Sequence, residues 1–375
     1  MLRTAWDCKS LWAQDTDELL RRVDLDWDRL SYLSACGLAR PLLGRIKGFE
    51  HPEWVLGFFV KALEERANED TVSDLIKREA LRRIAEALRE IGASGTLLKG
   101  TALLMLRDRN LPPQRATGDV DLYVEPPAAK VLHRSLKAKG FGRYEDDRRT
   151  ASHHLSPVFF RRLAIEIHER IMPSFWGLPE REMLQHRSAI ADMEPLYALS
   201  GEGLILHAGM HSASHLFSYG LKTAWDLLWI SRRFPELDWD RVSGWVKSSR
   251  LPRAFWAPVK GLARELPLAL PEEFLRDAPN DDRQAKLETI ARHRLFSAIE
   301  GPFDLNPLTK TAVFLTLHDS AIGRARYLMS LMMPSARESR ASAGEHHPGQ
   351  SWRYIRRRFR EARAQWRSYQ RPLSE

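Results

Sequence analysis

Asp119-Val120-Asp121-Leu122-Tyr123-Val124 sets the architecture expected of this chain. Polar and apolar residues alternate along it with period two, the signature of a strand with one face in a core. Successive side chains of a strand point to opposite faces, so Asp119 and Asp121 share one face. Val120, Leu122 and Val124 take the other, which belongs to the core. Two carboxylates side by side repel one another unless a cation neutralises them. Hard Mg²⁺, bound by oxygen ligands and shared with phosphate groups, is the usual solution.

Working outward toward the C-terminus, Ala164-Ile165-Glu166-Ile167-His168 repeats the alternation. Ile165 and Ile167 face one way, Glu166 and His168 the other. Paired with the first strand, this segment brings Glu166 to the two aspartates, giving a three-carboxylate metal set of Asp119, Asp121 and Glu166. Such a set holds one or two divalent ions that organise a triphosphate and neutralise a leaving pyrophosphate. His168, on the same face as Glu166, is a weaker candidate for a base.

Toward the N-terminus, Thr96-Leu97-Leu98 is a short apolar run ending at Lys99-Gly100, which reads as a buried strand entering a turn. A helix then starts near residues 102–106. Gly100 lets backbone N–H groups approach an anion, Lys99 adds a point charge and Thr101 a hydroxyl. Arg115, in the loop four residues before Asp119, has the guanidinium fork suited to a triphosphate. Lys99, Gly100, Thr101 and Arg115 are therefore the expected nucleotide-binding residues.

Around these pieces, Pro126 opens a helix that runs to about Lys139 and stops at Gly140. Residues 141–144, 154–159 and 163–168 are further strand candidates. Strands mixed with helices in this order predict a small α/β or α+β sheet. Residues 1–92 read as helical. Leu75, Ile76, Leu81, Ile84, Leu88 and Ile91 recur near helical spacing, Gly92 is the stop, and Arg40-Pro41 and His51-Pro52 mark breaks. From about residue 200 the pattern is helical again, with one or two helices over 201–231 and Pro-punctuated segments after them. The expected organisation is a helical region over 1–92, a sheet core over 93–198, a helical domain over 199–334, and a linker with a basic helix over 335–375.

The chain has 375 residues, 43% of them hydrophobic and 29% charged, which excludes a disordered chain. Two cysteines cannot build a disulfide framework or a C-x-x-C zinc pair. No apolar run is long enough for a membrane span, and Met1-Leu2-Arg3-Thr4-Ala5-Trp6-Asp7 has no signal-peptide core, so the cytoplasm is the expected location. The formal charge of +9 favours anionic partners.

Two patterns lie outside the carboxylate block. His207, His211 and His215 are spaced by four and so share one helix face. Zinc is one reading and local packing is the commoner one, with His211 the candidate to face the cleft. In the tail, Arg353, Arg356, Arg357, Arg358, Arg360, Arg363, Arg367 and Arg371 surround a stripe of Trp352, Ile355, Phe359, Trp366 and Tyr369. That is an amphipathic helix, either docked on the body with solvated arginines or presented to an acidic peptide, RNA or an anionic membrane surface.

At Leu97-Leu98-Lys99-Gly100-Thr101-Ala102-Leu103, Arg115-Ala116-Thr117-Gly118-Asp119-Val120-Asp121-Leu122-Tyr123-Val124 and Ile165-Glu166-Ile167-His168 the chain resembles the uncharacterised bacterial nucleotidyltransferase family. The resemblance continues through Leu204-Ile205-Leu206-His207 and Thr223-Ala224-Trp225-Asp226 and covers roughly residues 75–270. It implies an α+β fold, a nucleotidyltransferase-like mixed sheet core with helical N-terminal and C-terminal additions. It also implies Mg²⁺- or Mn²⁺-dependent transfer of a nucleoside monophosphate from an NTP, with ATP favoured, to a hydroxyl or phosphate. Asp119 and Asp121 would be metal ligands, Glu166 the third carboxylate, and Lys99, Gly100 and Thr101 the phosphate loop. Thr101 stands where the wider superfamily usually has Ser, and the spacing from Gly100 to Asp119 is longer than in its smallest members. Some relatives look like tailoring enzymes for ribosomally made peptides, lasso peptides included, so a peptide is a candidate acceptor and RNA a weaker one. The alternative is a non-catalytic scaffold of the same fold that binds a peptide, RNA or protein.

Overall fold

A computed structural model describes residues 37–46, 57–106, 114–143, 153–218, 220–264, 270–296 and 307–332. The linker over 335–350, the arginine-rich tail helix and the break at His51-Pro52 lie outside the described residues. The fold is α+β, as expected: a mixed sheet with helices before and after it.

The chain enters through α1 (Ala39–Ile46) and α2 (Gly57–Glu90). Arg40-Pro41 falls at the start of α1. Pro41 sits in the first turn of α1, where its missing N–H had no helical partner to lose. The buried stripe of α2 runs Phe59, Leu63, Ala67, Asp70, Asp74, Lys77, Leu81, Ile84 and Leu88. Leu75, expected on that stripe, is 63% exposed. Its place is taken by charged residues: Asp74 pairs with Arg40 of α1 and with Lys77, whose ammonium donates to Ser73 Oγ at 2.7 Å. Gly92 ends α2 as expected. It has φ +63°, and the Gly92 N–H to Arg89 O and Ala93 N–H to Leu88 O bonds close the helix.

The sheet follows: β1 (Gly95–Leu97), β2 (Asp119–Val124), β3 (Gly142–Arg143), β4 (Val158–Phe160), β5 (Leu163–His168), β6 (Ser188–Ala189) and β7 (Leu196–Ala198). Among the described residues its order is β3-β4-β5-β2-β1-β7-β6. β2 runs antiparallel to β1 and parallel to β5, and β1 runs parallel to β7. The segment expected as a strand over 154–159 is extended only from Val158, with His154 joined to His168 by an isolated bridge. β6 and β7 were not legible in advance, because two or three residues are too few to show a period. Between β1 and β2 lies the short α3 (Lys99–Met105), and after β2 comes α4 (Pro126–Ala138), which ends at Gly140 with φ +88°. α5 (Glu180–Gln185) precedes β6.

The helices after the sheet are α6 (Gly201–Ser214), α7 (Gly220–Arg233), α8 (Trp239–Ser248), α9 (Pro252–Ala263), α10 (Glu272–Arg276), α11 (Asp282–Phe296), α12 (Pro307–Leu317) and α13 (Ala321–Met332). Ser200 caps α6 by accepting from the Gly203 N–H. α6 is buried on almost every side, with Leu204, Ile205, Leu206, Met210 and Ala213 in the core and α7, α8 and α9 packed around it. Trp239, Trp256 and Phe274 join α8, α9 and α10, with ring centroids 4.6–4.7 Å apart for the Trp239–Phe274 and Trp256–Phe274 pairs. One continuous apolar core runs from Leu38 through the sheet to Leu317. No helix among the described residues is long and apolar enough to cross a membrane.

Candidate active site

The parallel pairing of β2 with β5 sets Asp119 beside Ala164, Asp121 beside Glu166 and Tyr123 beside His168. Paired residues of neighbouring strands point to the same face, so Asp119, Asp121, Glu166 and His168 all stand on one side of the sheet. Asp121 is fully buried, Glu166 is half-buried, and Asp119 lies at the strand entrance.

The turn after β1 faces them. Leu98 is extended and donates its N–H to the Asp121 carbonyl at 3.0 Å. Lys99 then adopts φ +51°, a left-handed conformation that costs an L-residue about 1–2 kcal/mol. This turns the ammonium inward, and Lys99 Nζ reaches Asp121 Oδ1 at 2.7 Å. A Cβ on Gly100 would stand 2.9 Å from Thr117 Cβ and 3.2 Å from Arg115 Nη1, so the two loops touch there. Gly100→Ala is therefore expected to push the 115–118 loop outward. It should lower stability by about 1–3 kcal/mol and raise the KM for nucleotide, measured by urea unfolding and steady-state rates.

Thr101 is fully buried, and its hydroxyl donates to the Asp119 carbonyl at 3.0 Å. It ties the turn to β2 and does not line the cavity. Arg115 lines the cavity, but its fork is engaged: Nε and Nη2 donate to the two carboxylate oxygens of Asp226 on α7, each at 2.7 Å. The remaining Nη1 donates to the Ala116 carbonyl. Ala116 N–H in turn donates to the Gly37 carbonyl, so the loop is braced both by a residue before it and by one after it in the chain. Thr117 Oγ1 donates to Asp119 Oδ1 at 3.2 Å.

The charges are strongly coupled. Burial works to raise the Asp121 carboxyl, yet Lys99 and His168 outweigh it and hold the group well below the usual carboxylate range. Asp119 moves the other way, raised by burial and by the neighbouring Asp121 charge. Glu166 is lowered by its interaction with His168. His168 Nε2 lies 2.9 Å from Asp121 Oδ1 and 3.6 Å from Glu166 Oε2. Burial opposes its charge, but the two carboxylates raise it above the ordinary imidazole value.

Asp121 Oδ2 is buried without a hydrogen-bond partner among the described residues. Asp121, Glu166 and His168 each offer one donor atom, and these atoms lie within 4.8 Å of one another. Buried oxygen donors with a spare lone pair and surplus negative charge fit a divalent cation. Asp121 and Glu166, expected from the sequence, are brought together here. Asp119 lines the same cavity one step along the strand.

That cavity has a volume of about 610 Å³, large enough for a nucleotide. Lys99, Gly100, Asp119, Asp121 and Glu166 form its polar end. Ile171, Met172, Phe175 and Trp176, from the segment after β5, give it an apolar wall. His207, His211 and His215 of α6 and its cap line a further side. His211 does face the cleft, in company with its two neighbours. His211 and His215 hold their Nε2 atoms 3.2 Å apart. His153 and His154 also line the cavity, their rings 5.1 Å apart and each within 5.3 Å of the His168 ring. Nothing in the local pattern marks them. The His154–His168 bridge and the hydrogen bonds of Leu155 N–H to Ile167 O and of Glu169 N–H to His153 O bring them in.

Burial keeps the α6 row neutral, pushing His207 down to about 3, His211 well below its ordinary value and His215 to about 4. A histidine whose folded-state pKa is depressed contributes stability above its unfolded pKa and loses it as pH falls toward the folded value. Stability should therefore decline from about pH 6.5 downward, by about 1 kcal/mol at pH 5.5 for His207 alone. Urea unfolding at pH 7.5 and 5.5 measures this, and His207→Leu should flatten the difference. An unchanged slope in that variant would refute the assignment.

A mixed sheet that pairs two acidic strands beside a lysine–glycine turn, over a nucleotide-sized cavity, defines a protein of the nucleotidyltransferase class. A family model described as uncharacterised nucleotidyltransferase matches residues 50–264, more than half of the chain, and the chain belongs to that family. The family implies an NTP substrate and a divalent metal. No match to a curated protein was found.

Proposed function

We propose that the protein transfers a nucleoside monophosphate from an NTP to a hydroxyl or phosphate acceptor, with Asp119, Asp121 and Glu166 holding Mg²⁺ or Mn²⁺. The observation that carries the reading is the register of β2 against β5. It sets Asp121 beside Glu166, under Lys99, in the wall of the cavity. When bound, the cation supplies the positive charge that a triphosphate and a departing pyrophosphate require.

The chain's own residues do the rest. Lys99 and the turn at Gly100 receive the phosphates, and Arg115, locked by Asp226, fixes the loop that closes over them. The acceptor oxygen attacks the α-phosphorus in line, and the bond from that phosphorus to the β-phosphate bridging oxygen breaks. Pyrophosphate carries away the electron pair. The acceptor's proton passes to Glu166, the carboxylate beside Asp121 in the cavity wall. Positioning and charge stabilisation supply most of the acceleration. ATP is the favoured donor, and a ribosomally made peptide is one acceptor candidate, suggested by the family resemblance. A scaffold without activity would have no use for three acids held together at this cost in repulsion.

Calorimetric titration of ATP, GTP, CTP and UTP, with and without Mg²⁺, tests the reading. Expected is metal-dependent binding of at least one NTP to the wild type that vanishes in Asp119→Asn/Asp121→Asn protein. Binding that ignores both metal and mutation would overturn it.

A further inference from the structure

We propose that His168 is itself a metal ligand through Nε2, so that the site is a mixed nitrogen–oxygen centre that selects Mn²⁺ or a related first-row ion over Mg²⁺. The inference rests on the proposed metal-dependent reading and deepens it. It names a donor outside the three carboxylates.

The geometry carries it. Two ligands at right angles on an ion, each roughly 2.1 Å from it, stand about 3 Å apart. His168 Nε2 lies 2.9 Å from Asp121 Oδ1 and 3.6 Å from Glu166 Oε2, and donor atoms of all three residues fall within 4.8 Å of one another. The ring is 1% exposed, fixed at the end of β5 by the pairing with Tyr123 and by the bridge to His154. Asp121 Oδ2 is buried and without a partner among the described residues, so this carboxylate retains donor capacity beyond its bonds to Lys99 and His168.

The surroundings suit a coordinated imidazole. Coordination at Nε2 leaves the proton on Nδ1, and that N–H needs an acceptor. His168 Nδ1 is buried without a partner, and so is the Nδ1 of His153, whose ring centroid lies 5.2 Å away. Burial holds the His153 ring neutral, which leaves it a nitrogen acceptor of the kind that N–H requires.

The consequence concerns metal choice. Mg²⁺ demands oxygen ligands and a near-ideal octahedron, whereas an imidazole among carboxylates suits ions that accept nitrogen. Full-length protein should therefore bind Mn²⁺ at least tenfold more tightly than Mg²⁺.

The test uses Mn²⁺ as its own probe. Electron paramagnetic resonance counts free against bound Mn²⁺, and electron spin-echo modulation then detects nitrogen directly bound to the ion. The expected result is bound Mn²⁺ with one ¹⁴N coupling that converts to ¹⁵N when histidine is isotopically labelled. In His168→Gln protein that coupling should be absent, and the preference for Mn²⁺ over Mg²⁺ should narrow. Should that variant fail to fold, the coupling must persist in each of His153→Gln, His154→Gln, His207→Gln, His211→Gln and His215→Gln, the other histidines of the cavity, and its loss in any one of them would overturn the inference. Bound Mn²⁺ without nitrogen coupling, or a coupling that survives in folded His168→Gln protein, would overturn the inference and leave the carboxylate reading standing. No bound Mn²⁺, with or without NTP, would remove both.

Discussion

Asp226→Ala should lower the unfolding free energy by about 3–5 kcal/mol. The carboxylate meets Arg115 with two parallel bonds of 2.7 Å, and both side chains are about nine-tenths buried. Burial works against the guanidinium charge, and Asp226 more than offsets it. Removing Asp226 leaves that charge in a poorly solvated wall with the Ala116 carbonyl as its remaining hydrogen-bond acceptor. Arg115→Ala should cost a comparable amount for the mirror reason. The double variant Arg115→Met/Asp226→Leu should be more stable than either single, because no charge is then stranded. Urea unfolding of the four proteins settles this, and a double variant as weak as the sum of the singles would contradict the account. The same pair fixes the loop that touches Gly100, so Asp226→Ala should also raise the KM for nucleotide in whatever protein remains folded.

Asp121→Asn should reduce turnover by about 10³-fold or more while leaving the fold intact. Asn keeps the shape and can still accept from Lys99 or His168, but it gives up the charge that both cations face. Stability should therefore fall by about 2 kcal/mol at neutral pH, since a hydrogen bond to a charged group is worth about 1.5–3. Asp119→Asn should be milder in stability. Asp119 is already raised by burial and by repulsion from Asp121, so neutralising it relieves a like-charge contact. Rates and unfolding curves for the two variants side by side separate the roles. Equal turnover in wild type and Asp121→Asn protein would end the catalytic reading.

Much of this site could be read along the chain because alternation is a local property. Val120 and Leu122 must be buried, and the pleat then forces Asp119 and Asp121 together on the opposite face. The same reasoning set Glu166 and His168 on one side of their own strand. Gly92 and Gly140 announced helix ends because only a residue without Cβ takes positive φ cheaply there.

Other parts were hidden for physical reasons. Leu75 looked like core and is exposed, because ion pairs allowed Asp74 and Lys77 to occupy the inner stripe of α2. The hydroxyl of Thr101 reads as a phosphate donor in isolation, but the Asp119 carbonyl lies within its reach. Arg115 reads as a free cation until α7 folds over it.

Local sequence dictates the face of each strand, the acids on those faces, and the turn that follows β1, since each depends on residues within a few positions of one another. Tertiary structure alone decided the parallel register that places Asp121 beside Glu166, the 111-residue reach from Arg115 to Asp226, and the gathering of five histidines around one cavity. Those choices depend on which surfaces bury best against one another, a property of the whole core that no local pattern encodes.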